Sequence, residues 1–343
     1  MTPEGAGPSL VGKQLFELVA AGSRDEAVRF VHSLLTTAAE PVALIEDGLV
    51  PVLRRVGELW QLTRIDTGEA HSMTTIVEEL LSAIALHLRR GTPRHLVIVA
   101  CPEGEWHSLP ARISSELLQT HDWSVTFAGA STPSADLSAL VRSQQPLAAV
   151  LSCTLAARLV AARDAIEVLH EHHVPVLVGG PGFGSDERRA RAVGADGWAR
   201  SVTGADRILA SWSRRKPTVS SAPAEPAPQL SPEDAAEAAD AALRRLEGLG
   251  TRPDGGRSIG MTGPDVSAMV DLVNAGLLTA DASVLADMIG WYRSMFAVRA
   301  YPAGTLDLTL ESLSEELPPV ARSLITRAVE MSRGSPDDGR AIL

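Results

Sequence analysis

The sequence predicts a multidomain chain of α and α/β parts: a helical bundle, a parallel five-stranded sheet with crossover helices, and a C-terminal all-helical domain. Three observations predict it. Residues 8–91 repeat apolar side chains at i, i+3 and i+4 with no strand-like alternation. Residues 95–216 switch to short apolar runs separated by helical stretches. A segment rich in Pro, Ser and Ala, taken as a linker over 217–231, then separates these from a third region, 232–335, that reads as helix again.

In the first region the apolar positions Leu15, Val19, Val28, Val31, Leu34 and Leu35, then Val50, Leu53, Val56 and Leu59, fall on helical faces. They give a four-helix bundle. Its last helix is capped by Asp66 or Thr67, runs through Ile76, Leu80 and Leu81, and stops at Gly91 and Pro93. In the second region the runs HLVIVAC, SVTFAG, LAAVLSC, VPVLVGG and the weaker ADGWAR are the strands. Apolar runs of this kind are expected where a sheet is covered on both faces, which predicts a Rossmann-like parallel fold with its ligand beyond the carboxyl ends of the strands. The third region reads as helices over Ala235–Leu246, Val266–Leu278, Val284–Val298 and Leu313–Met331, broken by GTRPDGGRSIGMTG.

Composition narrows the function. At 343 residues the chain fits two or three domains of about 150 residues each. With 45% hydrophobic and 21% charged residues it has the material for a core, which excludes global disorder. Cys101 and Cys153 are the only cysteines and lie in strand-like runs, so neither a disulfide framework nor a cysteine zinc site is expected. The opening MTPEGAGPSL has no signal-peptide pattern, and no apolar run reaches the roughly 18 residues of a membrane helix. These features predict a cytoplasmic protein. The net charge of −11 and scattered basic residues argue against nucleic-acid binding.

The first strand ends in CPEGEWHSLPARI, which puts Glu105 and His107 at the sheet's carboxyl edge. One imidazole nitrogen of His107 can bind a metal while Glu105 accepts a hydrogen bond from the other, fixing the tautomer. The neighbouring strand ends carry small residues: GASTP, then Ser152-Cys153-Thr154-Leu155, then Gly179-Gly180. Glycines admit close backbone approach and hydroxyls can bond a heteroaromatic nitrogen, so a flat, nucleotide-like group fits there. His121, His170, His172 and His173 sit at helix ends and are read as solvated.

These elements resemble the cobalamin-binding domain shared by methionine synthase, corrinoid methyl carriers and cobalamin mutases. Its pattern, D/ExHxxG, SxL or SxT, then GG, appears as Glu105-Trp106-His107-Ser108-Leu109-Pro110, Ser152-Cys153-Thr154 and Gly179-Gly180, with Pro110 at the usual glycine. The resemblance implies a base-off cobalamin whose cobalt takes His107 as lower axial ligand, with Trp106, Ser108, Ser152 and Thr154 among its contacts. The preceding bundle would cap the corrin's upper face.

The segment WQLTRIDTGEAH is similar to the Wx9EH pattern of CarH-type photoreceptors, here Trp60 and His71, with Ala70 at the glutamate position and Glu69 beside it. CarH-type proteins have a histidine directly after the tryptophan; this chain has Gln61, which leaves His71 as candidate upper ligand. The MerR-like DNA-binding domain of that family has no counterpart here. The resemblance implies a non-enzymatic light sensor that binds adenosylcobalamin and changes conformation or oligomeric state when light breaks the Co–C bond. Its homo-oligomeric state would depend on light, and it would signal to a downstream protein that the sequence does not identify.

The C-terminal region contains neither His nor Cys, which excludes histidine-ligated haem and thioether-linked tetrapyrroles. It carries Trp291, Tyr292, Arg293, Phe296, Arg299 and Tyr301, a set able to stack on and pair with a planar anion. Bundle, cobalamin domain and helical module in that order resemble the photocobilins, which implies noncovalent biliverdin in this module. The alternative is a corrinoid methyl carrier serving a partner methyltransferase, with the same His107 below the cobalt.

Overall fold

The computed structural model describes residues 10–37, 39–219, 228–247, 262–299 and 304–334. The glycine-rich stretch around 250–261 and most of the 217–231 linker lie outside the described residues.

The first part is the expected bundle. Helices α1 (Leu10–Ala20) and α2 (Arg24–Thr36) are followed by α3 (Pro41–Ala43), a π segment (Leu44–Leu49) and α4 (Val50–Gln61) laid end to end, then by α5 (Thr67–Ala85). Leu15, Val31, Ile45, Leu49, Val56, Val77 and Leu80 meet in its core, together with Leu109, Ile113 and Leu117 from beyond the bundle. Asp66 is the cap of α5: its carboxylate accepts the Glu69 N–H, and the Glu69 carboxylate accepts the Asp66 N–H.

The second part is a five-stranded parallel sheet of β1 (Leu96–Pro102), β2 (Ser124–Thr132), β3 (Ala148–Ser152), β4 (Val176–Gly179) and β5 (Gly197–Ala199), in the order β2-β1-β3-β4-β5. Residues of one strand alternate between two cores: Val97, Val99 and Cys101 face one, Ile98 and Ala100 the other. On the first face lie α6 (Ser108–Thr120) and α10 (Val202–Arg214); on the second, α7 (Ser134–Gln144), α8 (Leu159–Glu171) and α9 (Arg188–Ala192). Burial on both faces is why the strands read as continuous apolar runs. Chain order reverses between β1 and β3, and a ligand crevice is expected at the carboxyl ends of those two strands.

The third part is α11 (Pro232–Glu247), α12 (Gly263–Thr279), α13 (Ser283–Arg299), α14 (Thr305–Glu316) and α15 (Pro319–Gly334). Helix α12 is apolar around most of its circumference because it is packed on several sides, by α11, α13 and α15 and by α8, α9 and a 3-10 turn at Ala156–Arg158. Its core is therefore continuous with the α7–α8 face of the sheet. The Arg189 guanidinium adds polar links, donating to Asp281 at 2.9 Å and Ser283 at 3.0 Å.

Two expectations are corrected. The single helix read over Leu313–Met331 is two helices, because Pro318 forces Leu317 to an extended ψ of 155° and neither Pro318 nor Pro319 can donate a backbone N–H. His170 and His172 are not solvated. His170 Nε2 lies 2.8 Å from Asp196 Oδ2, with both side chains only 12% exposed, and His172 Nε2 lies 2.7 Å from Ser138 Oγ.

Gly179 and Gly180 serve strand packing. A Cβ on Gly179 would sit 2.9 Å from the Ala199 oxygen, and one on Gly180, at φ +102°, would sit 2.4 Å from the Cys153 oxygen. Neither position has room for a side chain. Gly180→Ala is expected to destabilise the fold by about 2 kcal/mol or more, combining left-handed strain with the clash. Urea denaturation checks this.

Candidate functional site

Strand β1 ends at Pro102, and the chain turns through Gly104, at φ +77°, into Glu105. Three strand ends converge on this loop. The Gly104 N–H donates to Ser131 Oγ at 3.0 Å and the Ser131 N–H donates to the Glu105 oxygen at 2.8 Å, joining β1 to β2. The Glu105 side chain, 0% exposed, reaches to β3, where its Oε2 accepts the backbone N–H groups of Thr154 at 2.7 Å and Leu155 at 2.9 Å. Its Oε1 accepts the His107 N–H at 2.9 Å and lies 2.6 Å from His107 Nδ1.

Burial raises the Glu105 pKa, but the bonds from His107 and Leu155 outweigh it, and the carboxyl is held below its ordinary range. An ionised carboxylate only accepts, so the proton between the two groups belongs to His107 Nδ1. In the neutral imidazole this leaves the Nε2 lone pair free for a metal. The ring stands at the N-terminus of α6 with its side chain 44% exposed. Burial and the nearby Glu105 push the Cys101 thiol up to about 12, so it stays protonated.

Pro110 does not disturb the loop. It is the third residue of α6, in a turn whose N–H groups have no helical acceptor. Trp106 is 73% exposed beside His107, and Ser108 and Ser152 are half-buried. Thr154 Oγ1 is buried without a hydrogen-bond partner, one of three such side-chain atoms among the described residues. Arg158 Nε is another, and the Arg158 guanidinium packs 3.4 Å from where a Cβ on Gly104 would stand. In β2, Gly129, at φ +98°, faces open space, with nothing within 4 Å of its Cβ position.

The structure brings together Glu105, His107 and Thr154. Sequence reasoning placed Ser131 and Leu155 in the GASTP and Ser152–Leu155 runs without assigning them a role, and it missed Arg158, which lies in the 3-10 turn after β3. Glu69 accepts the Asp66 N–H in the capping box of α5, and His71 is exposed on that helix's first turns.

Trp60 donates Nε1–H to Thr67 Oγ1 at 3.4 Å and stacks on Trp291 of α13, with centroids 5.6 Å apart and planes 21° apart. Trp291 in turn donates to the Gln61 oxygen at 3.2 Å. Tyr292 is buried and donates to Asp265 at 3.0 Å; Arg293 donates to Ser332 at 2.6 Å and Asp307 at 3.4 Å. These three residues of the aromatic and arginine cluster are thus engaged in packing. Tyr301 and the Arg299 side chain lie outside the described residues.

Residues 95–205 match a family model described as a B12 binding domain, and residues 11–85 match a second model with the same description. A search of the curated proteins found no match. Among solved structures, the chain is similar to a monomethylamine corrinoid protein from Methanosarcina barkeri, at 14% identity and a TM-score of 0.50, over 59% of this chain and 97% of that one. It also matches a methanol:cobalamin methyltransferase complex from Methanosarcina barkeri, at 17% identity and a TM-score of 0.33, over 63% of this chain and 88% of that one. A cobalamin-binding protein from Desulfitobacterium hafniense matches at 17% identity and a TM-score of 0.32, over 58% of this chain and 97% of that one. The two matched regions, one holding the His107 loop and the other the bundle, support one identification: a cobalamin-binding protein.

Proposed function

We propose that this chain is a corrinoid carrier, binding cobalamin base-off with His107 Nε2 beneath the cobalt and delivering it to a partner methyltransferase. The observation that carries the cobalamin part is the fully buried Glu105 carboxylate 2.6 Å from His107 Nδ1, which leaves Nε2 as the coordinating atom. The residues fit the cofactor's tail as well: Thr154 Oγ1 is a buried hydroxyl awaiting a partner, and the β2 end is open at Gly129. When bound, cobalamin supplies a cobalt centre that holds an alkyl group. The protein residues hold the imidazole in one tautomer, anchor the loop to β3 and contribute no nucleophile of their own. The fold shared with the monomethylamine corrinoid protein supports the carrier reading.

A second reading, a light sensor carrying adenosylcobalamin, rests on the spacing of Trp60 and His71, and the Trp60–Trp291 stack covers the ring that this reading would use. A biliverdin site at Trp291, Tyr292 and Arg293 would have to displace their present partners. One preparation separates the readings. The methylcobalamin complex is expected to pass its methyl group to a thiol or tetrahydrofolate acceptor when its methyltransferase is added, with little lasting change on illumination of the adenosylcobalamin complex. No methyl transfer, with a persistent light-induced spectral change and altered oligomeric state, would reverse the assignment.

A further inference from the structure

The 3-10 turn at Ala156–Arg158 is held at both ends, by different parts of the chain. Leu155, which leads into it, donates its backbone N–H at 2.9 Å to Glu105 Oε2, and the same carboxylate orients His107 through Oε1. Arg158, its last residue, donates a guanidinium N–H at 2.9 Å to Asp271 of α12. Within the turn the Arg158 backbone N–H donates to the Leu155 oxygen at 2.9 Å, which fixes one end relative to the other. The Arg158 side chain also lies against Gly104, the residue before Glu105 in the loop. A chain of hydrogen bonds and short covalent steps thus runs from α12 to the imidazole.

The junction at its far end is poorly compensated. Arg158 Nε is buried without a partner, and Asp271 is the acceptor shown for the guanidinium among the described residues. Burial outweighs the attraction of Arg158 and holds the Asp271 carboxyl above its ordinary range. A half-satisfied ionic contact is sensitive to position: a small displacement of the turn weakens it, and its loss frees the turn to shift.

Resting on the cobalamin reading, we propose that Arg158 is a positioning residue through which the docked C-terminal helices strengthen ligation of cobalt by His107. By linkage the coupling is reciprocal, so occupancy of the corrin site strengthens docking of α12 by the same factor. The C-terminal helices then read whether the cofactor is loaded. Coupling carried by a packed network of this kind is worth about two- to thirtyfold in an equilibrium constant.

The test uses the full chain with methylcobalamin, whose nitrogen-ligated form is red and whose unligated form is yellow. Arg158→Gln and Asp271→Asn are each expected to raise the ratio of unligated to ligated bound cofactor about two- to thirtyfold, with the double variant no further shifted than Arg158→Gln. A merely structural contact would lower stability or uptake without moving that ratio. An unchanged ratio, or additive shifts in the double variant, overturns the inference. Hydrogen exchange on the wild-type chain keeps the test sound if these variants fail to fold. Methylcobalamin should slow exchange in α12 around Asp271, and exchange there that ignores the cofactor overturns the inference. If the wild type binds no cobalamin, the cobalamin reading falls and takes this inference with it; binding with the ratio and the exchange both unmoved defeats this inference alone.

Discussion

Glu105→Ala is expected to cost the fold about 3–5 kcal/mol and to weaken cobalamin binding by on the order of 10–100-fold. Its carboxylate is the sole acceptor shown for the backbone N–H groups of Thr154 and Leu155, and it also takes the N–H and Nδ1–H of His107. Truncation strands these donors at the ends of β1 and β3, where the side chain is fully buried and water cannot readily replace it. The loss of affinity has a separate origin, since the His107 ring is then free to rotate and to change tautomer. Glu105→Gln retains one oxygen acceptor and is expected to lose less on both counts. Chemical denaturation and cobalamin titration of the two variants read the two effects independently.

His107→Ala should split them. The ring is 44% exposed, and the contact shown for its side chain is the bond to Glu105, so its removal is expected to cost the fold only about 1–2 kcal/mol. Cobalamin affinity is expected to fall by at least about 100-fold, the upper end of what loss of a mere supporting residue costs, because the coordinating atom itself is gone. A variant that folds like wild type yet takes up no corrin would assign His107 to the ligand rather than to the loop. Near-wild-type uptake would leave Glu105 as a purely structural clamp.

The fold was legible in the sequence to the extent that periodicity reports burial. Alternating cores on the two sides of β1 made HLVIVAC a continuous apolar run, and the bundle's single buried stripe gave its i, i+3, i+4 spacing. The break at Leu317 was missed because apolar spacing continues through Pro318 and Pro319 while the backbone does not. At the site, Glu105 and His107 were legible because they are two residues apart. The grip of Glu105 on Thr154 and Leu155 spans about 50 positions and exists only because β1 and β3 are sheet neighbours. The Trp60–Trp291 stack depends on the docking of a separate helical part, which no local pattern encodes. Gly179 and Gly180 were legible as glycines that permit close backbone approach, and the Ala199 and Cys153 carbonyls are what a side chain there would meet.

Electron paramagnetic resonance of the cob(II)alamin complex tests the central claim most directly, because the cobalt signal is split by the nucleus of its axial nitrogen. In protein labelled with the heavy nitrogen isotope, bound to unlabelled cobalamin, the triplet splitting is expected to become a doublet, and His107→Ala should abolish that change. A triplet untouched by labelling the protein would mean that the benzimidazole still holds the cobalt, contradicting ligation by His107.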